Sequence, residues 1–187
     1  MRIISGIYKG RKIFNPVDKS TRPLKDIVRE SIFNILEHSN LFKKKIQEAN
    51  ILDLFSGTGS FGLECISRGA AKVIFVENYP KVIKILKKNI EKLSCKEKTK
   101  IIEADVYKQF IHKNLKEKID FIFIDPPFKE KNLDKLAINL KKNKIIKKNT
   151  ILIIHIHKNS KHCIFKEIQI LNQKIYGKSK IIFAVWK

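Results

Sequence analysis

The chain is short of acids, of arginine and of cysteine, and each shortage narrows what it can be. Against 40 Lys and Arg it sets only 18 Asp and Glu, a formal net charge of +22 over 187 residues. An imbalance of that size implies a polyanionic partner, with nucleic acid the first choice. Part of it is compositional, because lysine and isoleucine are both abundant, as an AT-rich genome would make them. Arginine is the more informative cation because there are only five, against 35 lysines. Of Arg2, Arg11, Arg22, Arg29 and Arg68, four fall in the first 29 residues. A guanidinium grips phosphates and guanine edges bidentately, as an ammonium cannot. Arg2, Arg11, Arg22 and Arg29 therefore mark a candidate nucleic-acid arm.

Cys65, Cys95 and Cys163 are odd in number and widely spaced. That pattern excludes a disulfide framework or a C-x-x-C metal knuckle and points to a reducing cytosol. No apolar run approaches membrane-spanning length, and Met1 to Gly6 holds no signal-peptide core. A cytoplasmic protein without membrane contact is expected. With 43% hydrophobic residues and no internal repeat, residues 1–187 are expected to form one domain, monomeric, with 1–23 as its arm.

What is present is an alternation of strand and helix patterns, the mark of an α/β fold with a parallel sheet. Residues 2–14 read as a hairpin turning near Gly10, and 15–23 as a loop broken by Pro16 and Pro23. Residues 24–38 show Leu24, Ile27, Val28, Ile32, Ile35 and Leu36 at helical spacing. Strands are predicted at 51–55, 72–77, 100–103, 119–124, 150–157, 164–171 and 181–186. Helices are predicted from the glycine loop to about Arg68, over 80–93, near 106–115 and over 131–142. The last two strands have no helix between them, so they form an antiparallel hairpin joined by Asn172 to Lys180.

The stretch Asp125-Pro126-Pro127-Phe128 follows an apolar run of strand length with one early charge, Asp120. Two prolines end that strand, since neither can donate to a sheet ladder. A carboxylate, a rigid carbonyl-rich turn and an aromatic ring thus sit at the carboxyl end of a central strand, where open α/β sheets bind ligands. The chemistry that suits them is methyl transfer to a conjugated amino group. Asp125 can accept one N–H, the Pro126 carbonyl the other, and Phe128 can stack on the base. The competing reading is a proline turn with a surface Phe.

Gly57-x-Gly59-x-x-Gly62 matches a dinucleotide fingerprint, with Glu77 at a suitable distance, so a nicotinamide dehydrogenase is a rival. Against it stand Asp53 inside the feeding strand and Asp105 and Asp125 ending two others. That acidic rim serves a pyrophosphate poorly. It suits S-adenosyl-L-methionine, which carries a sulfonium and an ammonium and no phosphate. Glu77 can accept both ribose hydroxyls, Asp105 the adenine amino group, and Asp53 can anchor the methionine end.

These stretches together resemble the RsmD family of bacterial small-subunit ribosomal RNA guanine-N2 methyltransferases. The resemblance is carried by RIISGIYKGRKI, TRPLKDIVRESIFNIL, ILDLFSGTGSFGLECISRGA, FIFIDPPF and Tyr176-Gly177. The glycine loop and DPPF occur in many methyltransferases; the opening hairpin and the Arg-Pro segment are the specific part. Leu24, where Thr is common, and Ile27, where Arg is common, depart from the family. The resemblance implies a Rossmann-like class I methyltransferase sheet, seven-stranded and mostly parallel with an antiparallel last strand, S-adenosylmethionine as donor, and one guanine of the small-subunit rRNA, in the assembled or assembling subunit, as acceptor. The residue set is then Asp125, Pro126 and Phe128 for catalysis. Asp53, Phe55, Gly57, Gly59, Glu77, Asn78, Asp105 and Val106 make up the cofactor set. Adenine or cytosine amino methylation and a non-catalytic RNA-binding role remain as alternatives. His155 and His157 share one face of the fifth strand, near His162 and Cys163. Strand-end histidines without carboxylate support are more often structural, so no metal is expected; lining the base pocket is their other reading.

Overall fold

The computed structural model describes residues 1–16, 24–107, 115, 118–130, 132–142, 145, 147, 149–160 and 167–187. In chain order its main elements are α1 (Asp26–His38), β1 (Asn50–Leu54), α2 (Ser60–Ser67), β2 (Lys72–Glu77), α3 (Pro80–Lys92), β3 (Thr99–Glu103), β4 (Phe121–Ile124), α4 (Leu133–Lys142), β5 (Ile151–His157), β6 (Ile168–Tyr176) and β7 (Ser179–Trp186).

The seven strands form one sheet in the order β3-β2-β1-β4-β5-β7-β6. The first five are parallel, and β7 runs antiparallel to both β5 and β6. Strand order reverses between β1 and β4, so a crevice opens at their carboxyl ends.

Alternation along each strand divides the interior in two. Ile51, Phe75, Phe121, Phe123, Ile153 and Phe183 face one side, against Phe33 of α1, Phe61 of α2 and Leu86 of α3. Leu52, Val76, Ile122, Ile124, Leu152 and Ile182 face the other, against Leu133, Leu136 and Leu140 of α4. Rings continue through the first layer: Phe33 stacks on Phe61 at 5.2 Å and Phe61 on Phe123 at 3.9 Å between centroids.

The predicted opening hairpin is reduced to one antiparallel bridge, Arg2 with Lys12. Amides of Ile3, Gly10 and Ile13 still donate across it to the carbonyls of Arg11, Ile3 and Met1, and α2 holds the segment from outside. Buried Glu64 accepts the Ile4 and Ser5 amides at 2.7 and 2.9 Å. Ile7 donates to the Ser67 carbonyl at 2.8 Å. Gly6 has φ +82°, and a Cβ there would lie 1.9 Å from that carbonyl, so only glycine fits.

Helix α1 starts two residues later than its pattern suggested, and Ile27 is 64% exposed. The buried stripe runs through Val28, Arg29, Ile32, Phe33 and Leu36. The closing strands reach further than expected, so that Gly177 and Lys178 alone form the turn of β6 and β7. Most of the helix expected near 106–115 lies outside the described residues, as do Arg22, Pro23, His162 and Cys163.

At the amino ends of β4 and β5 lies a groove of about 1000 Å³. Lys43, Lys44, Lys118, Lys147 and Lys187 line it beside Trp186, whose ring lies 5.3 Å from the Lys141 ammonium.

Candidate active site

Every acid of the predicted cofactor set comes to the carboxyl edge of the sheet, because Asp53, Glu77 and Asp105 lie in or just after three adjacent parallel strands, β1, β2 and β3. β1 leads into Phe55, which takes φ 58°, and then into the loop Gly57–Gly59. Gly59 has φ +86°, and a Cβ on it would sit 2.5 Å from Leu86 Cδ1. The loop therefore needs glycine to pack on α3 and present its backbone to a ligand.

Glu77 is oriented from three directions. Gly57 donates to its Oε2 at 2.8 Å, and Asn78 and Tyr79 each donate to its Oε1 at 3.0 Å. Those amides fix a half-exposed carboxylate at the mouth of the glycine loop. Asp105 accepts the Tyr107 amide at 2.9 Å. Beside it Phe55 and Tyr107 meet edge to face at 6.1 Å, and Val106 is buried.

Asp53 is buried beneath the loop and accepts the Gly62 amide at 3.1 Å. Burial pushes its carboxyl well above the ordinary range; the neighbouring Asp125 and Glu77 charges push the same way. A buried carboxyl whose ionisation two neighbouring acids oppose marks a site short of positive charge. A cofactor bearing a sulfonium and an ammonium relieves that opposition, whereas a pyrophosphate would add to it. The residues present thus fit S-adenosylmethionine.

Asp125 follows β4 directly. The register that pairs Ile124 with Ile154 sets it beside His155 of β5. His155 is fully buried, with Nδ1 2.8 Å from Asp125 Oδ1 and Nε2 2.9 Å from Ser179 Oγ. The expectation that this histidine lacks a carboxylate partner is overturned, because Asp125 is that partner. With both ring nitrogens engaged, His155 has none left to ligate a metal. Among the described residues no cluster of three or more His, Cys, Asp or Glu could hold one. Pro126 is buried, and the Phe128 ring lies edge-on to His155 and His157 at 5.6 and 5.3 Å.

The arm divides. Arg2 and Arg11 are exposed, and Arg11 lies over the Tyr8 ring at 5.2 Å. Arg29 turns inward and is 0% exposed. It donates to the Arg2 carbonyl at 2.5 Å and to Asp26 Oδ1 at 2.9 Å. A guanidinium spent on the protein's own groups does not reach a phosphate, so Arg29 leaves the nucleic-acid set and becomes the post on which the arm is hung. The sequence also gave no warning of Asn89 of α3. Its side chain accepts the Phe14 amide at 2.7 Å and donates to the Thr58 carbonyl at 3.0 Å, tying the arm to the glycine loop.

Comparison with known proteins places this geometry. The family described as conserved hypothetical protein 95 matches residues 1–185. Ribosomal RNA small subunit methyltransferase D of Haemophilus influenzae is 33% identical over 183 residues, 95% of this chain and 89% of that one. The protein of the same name from Buchnera aphidicola subsp. Baizongia pistaciae is 36% identical over 154 residues, 82% of this chain and 74% of that one. A solved Escherichia coli protein described as a methyltransferase, yhhF, superposes with TM-score 0.78 at 26% identity, covering 100% of this chain and 98% of that one. The sheet order is accordingly that of the class I methyltransferases. A family match that spans the arm as well as the sheet makes this chain a member of the conserved hypothetical protein 95 family, the RsmD family that its opening segment resembles.

Proposed function

We propose that the protein is an rRNA methyltransferase that moves a methyl group from S-adenosyl-L-methionine to the exocyclic N2 of one guanine in small-subunit rRNA. The observation that carries this reading is the position of Asp125-Pro126-Pro127-Phe128. It ends the strand next to β1, across the crevice from Asp53 and Glu77. The names of the relatives support rRNA as the substrate class.

When bound, S-adenosylmethionine supplies a methyl group already activated by its sulfonium. The chain's own residues do the rest. Glu77 receives the ribose hydroxyls, Asp105 the adenine amino group, and Asp53 faces the methionine end. Phe55 and Val106 give the adenine an apolar wall, and Asn78 lies next to Glu77. Asp125 accepts one N–H of the base and the Pro126 carbonyl the other. A conjugated amine held this way is pushed toward a tetrahedral shape, with its lone pair aimed at the methyl carbon. The Asp125 charge offsets the positive charge that grows on nitrogen. Phe128 stacks on the flipped base, and Arg2 and Arg11 hold the backbone.

The test is transfer of labelled methyl to rRNA and to small subunits, followed by nucleoside analysis. N2-methylguanosine is expected. N6-methyladenosine or N4-methylcytidine as the only product overturns the base assignment, and an inert protein that still binds rRNA overturns the enzyme.

A further inference from the structure

Three adjacent strands contribute to one hydrogen-bonded row behind the Asp125 carboxylate. Asp125 ends β4, His155 lies in β5 and Ser179 opens β7. A carboxylate offers only acceptors, so the imidazole hydrogen sits on Nδ1 and is donated to Asp125. In that tautomer Nε2 is the acceptor, and it takes the Ser179 O–H. The order Asp-His-Ser is also that of hydrolytic triads. Here Ser179 is only 5% exposed and sits inside the sheet, so no substrate carbonyl reaches its Oγ. Ser179 anchors the ring, and the ring faces the acid.

We infer that His155 is the positioning residue of the methyl transfer. It holds the Asp125 carboxylate in the one rotamer that aims its second oxygen at the acceptor amine. It also helps set the tilt of the stacking ring, because the Phe128 and His155 rings meet edge to face with centroids 5.6 Å apart. This inference rests on the proposed methyl transfer, and it concerns Asp125 and not the cofactor acids. A carboxylate free to rotate at a strand end would spend part of its time aimed elsewhere. Misplacement on the scale of 1 Å costs roughly 10²-fold in such reactions. A strand-end aspartate with a buried, doubly bonded imidazole behind it does not pay that cost.

The experiment compares His155→Leu, His155→Gln and Ser179→Ala in single-turnover methylation at saturating RNA and cofactor. His155→Leu is expected to slow the step by roughly 10–100-fold while the half-saturating cofactor concentration stays near wild type. His155→Gln regains most of the rate, because its amide N–H can still donate to Asp125. Ser179→Ala falls between them. A purely structural histidine would lower the folded fraction, leave the rate per folded molecule unchanged, and show no rescue by Gln. Long-range proton–nitrogen NMR of the wild-type protein adds a readout independent of turnover. It is expected to show a buried histidine protonated at Nδ1 alone, with that signal shifted in Asp125→Asn. A ring protonated only at Nε2, or His155→Leu at the wild-type rate in an active preparation, overturns the inference. Wild-type protein that methylates no rRNA base overturns the parent reading instead.

Discussion

At the scale of single residues, two aspartates in one crevice are set up for different work. Asp125 is half-buried, and in the proposed transfer it acts by charge and direction. Asp125→Asn keeps the shape, loses the charge and turns one donor toward a donor. Single-turnover methylation should fall by roughly 10²–10³-fold, the size seen on losing one preorganised partner, while cofactor affinity changes far less. Unchanged turnover would remove Asp125 from the chemistry. Asp53 lies wholly inside the protein, and its carboxyl is raised by burial. Its unfolded value is about 3.9. Its contribution to stability is therefore full below about pH 4 and is lost as pH rises through the raised folded value. Asp53→Asn is neutral throughout and keeps an acceptor for Gly62. Its stability relative to wild type should therefore climb as pH rises from 4 to 8, read from urea midpoints; a constant difference would contradict the raised carboxyl. The strand-end acids were legible because each follows an apolar run and precedes a turn. The Asp125–His155 bond was not, since 30 residues separate the partners and only the β4–β5 register joins them. The clue was available: both residues lie one step beyond the Ile124–Ile154 pair.

At the scale of elements, α2 does more than follow the glycine loop. Its Glu64 side chain is fully buried, holds the arm by two amides and receives Arg68 Nε at 2.8 Å. Arg68 continues to Glu37 of α1 at 2.6 Å and lies over the Phe33 ring at 4.4 Å. One carboxylate thus joins the arm, α1 and α2. Glu64→Ala strands buried donors and should cost about 3–5 kcal/mol in denaturant unfolding. It should also release the arm, so that trypsin cleaves after Lys9 and Arg11 faster than in wild type; equal cleavage would show that the arm is held by other contacts. The turn near Gly10 was legible in the sequence, but the fastening of the segment was not. Arg29 shows why. As a scarce cation near the amino terminus it reads as a phosphate ligand. Yet it stands at 29 on a stripe with 32, 33 and 36, the spacing of the buried face of α1. Ile27, off that stripe, is exposed for the same reason.

At the scale of the whole molecule, the charge is unevenly disposed. Arg2 and Arg11 present guanidinium groups on an arm that Asn89 ties to the glycine loop, whereas many of the lysines coat helix faces. Arg2→Ala and Arg11→Ala should each flatten the dependence of log affinity for rRNA on log salt by roughly 0.7–0.9. Cofactor affinity should not change. If filter-binding titrations show the wild-type slope in both variants, the arm is structural only. The fold class itself was readable end to end, since alternating patterns and the helix-free closing hairpin leave little choice of topology.

The single tryptophan of the chain, Trp186, closes β7 and pairs with Ile168. Because β7 runs against β5, that indole stands at the sheet edge opposite Glu77 and Asp125, about 20 Å away by the rise of a seven-residue strand. Indole emission, excited apart from crevice tyrosines such as Tyr107, is therefore a one-ended signal. It is expected to stay silent when the crevice fills and to respond to an anion that settles beside Trp186 among Lys43, Lys44, Lys118, Lys147 and Lys187. A label-free titration that follows indole fluorescence would watch the lysine groove alone, and a flat trace with the methyl donor would be the expected result.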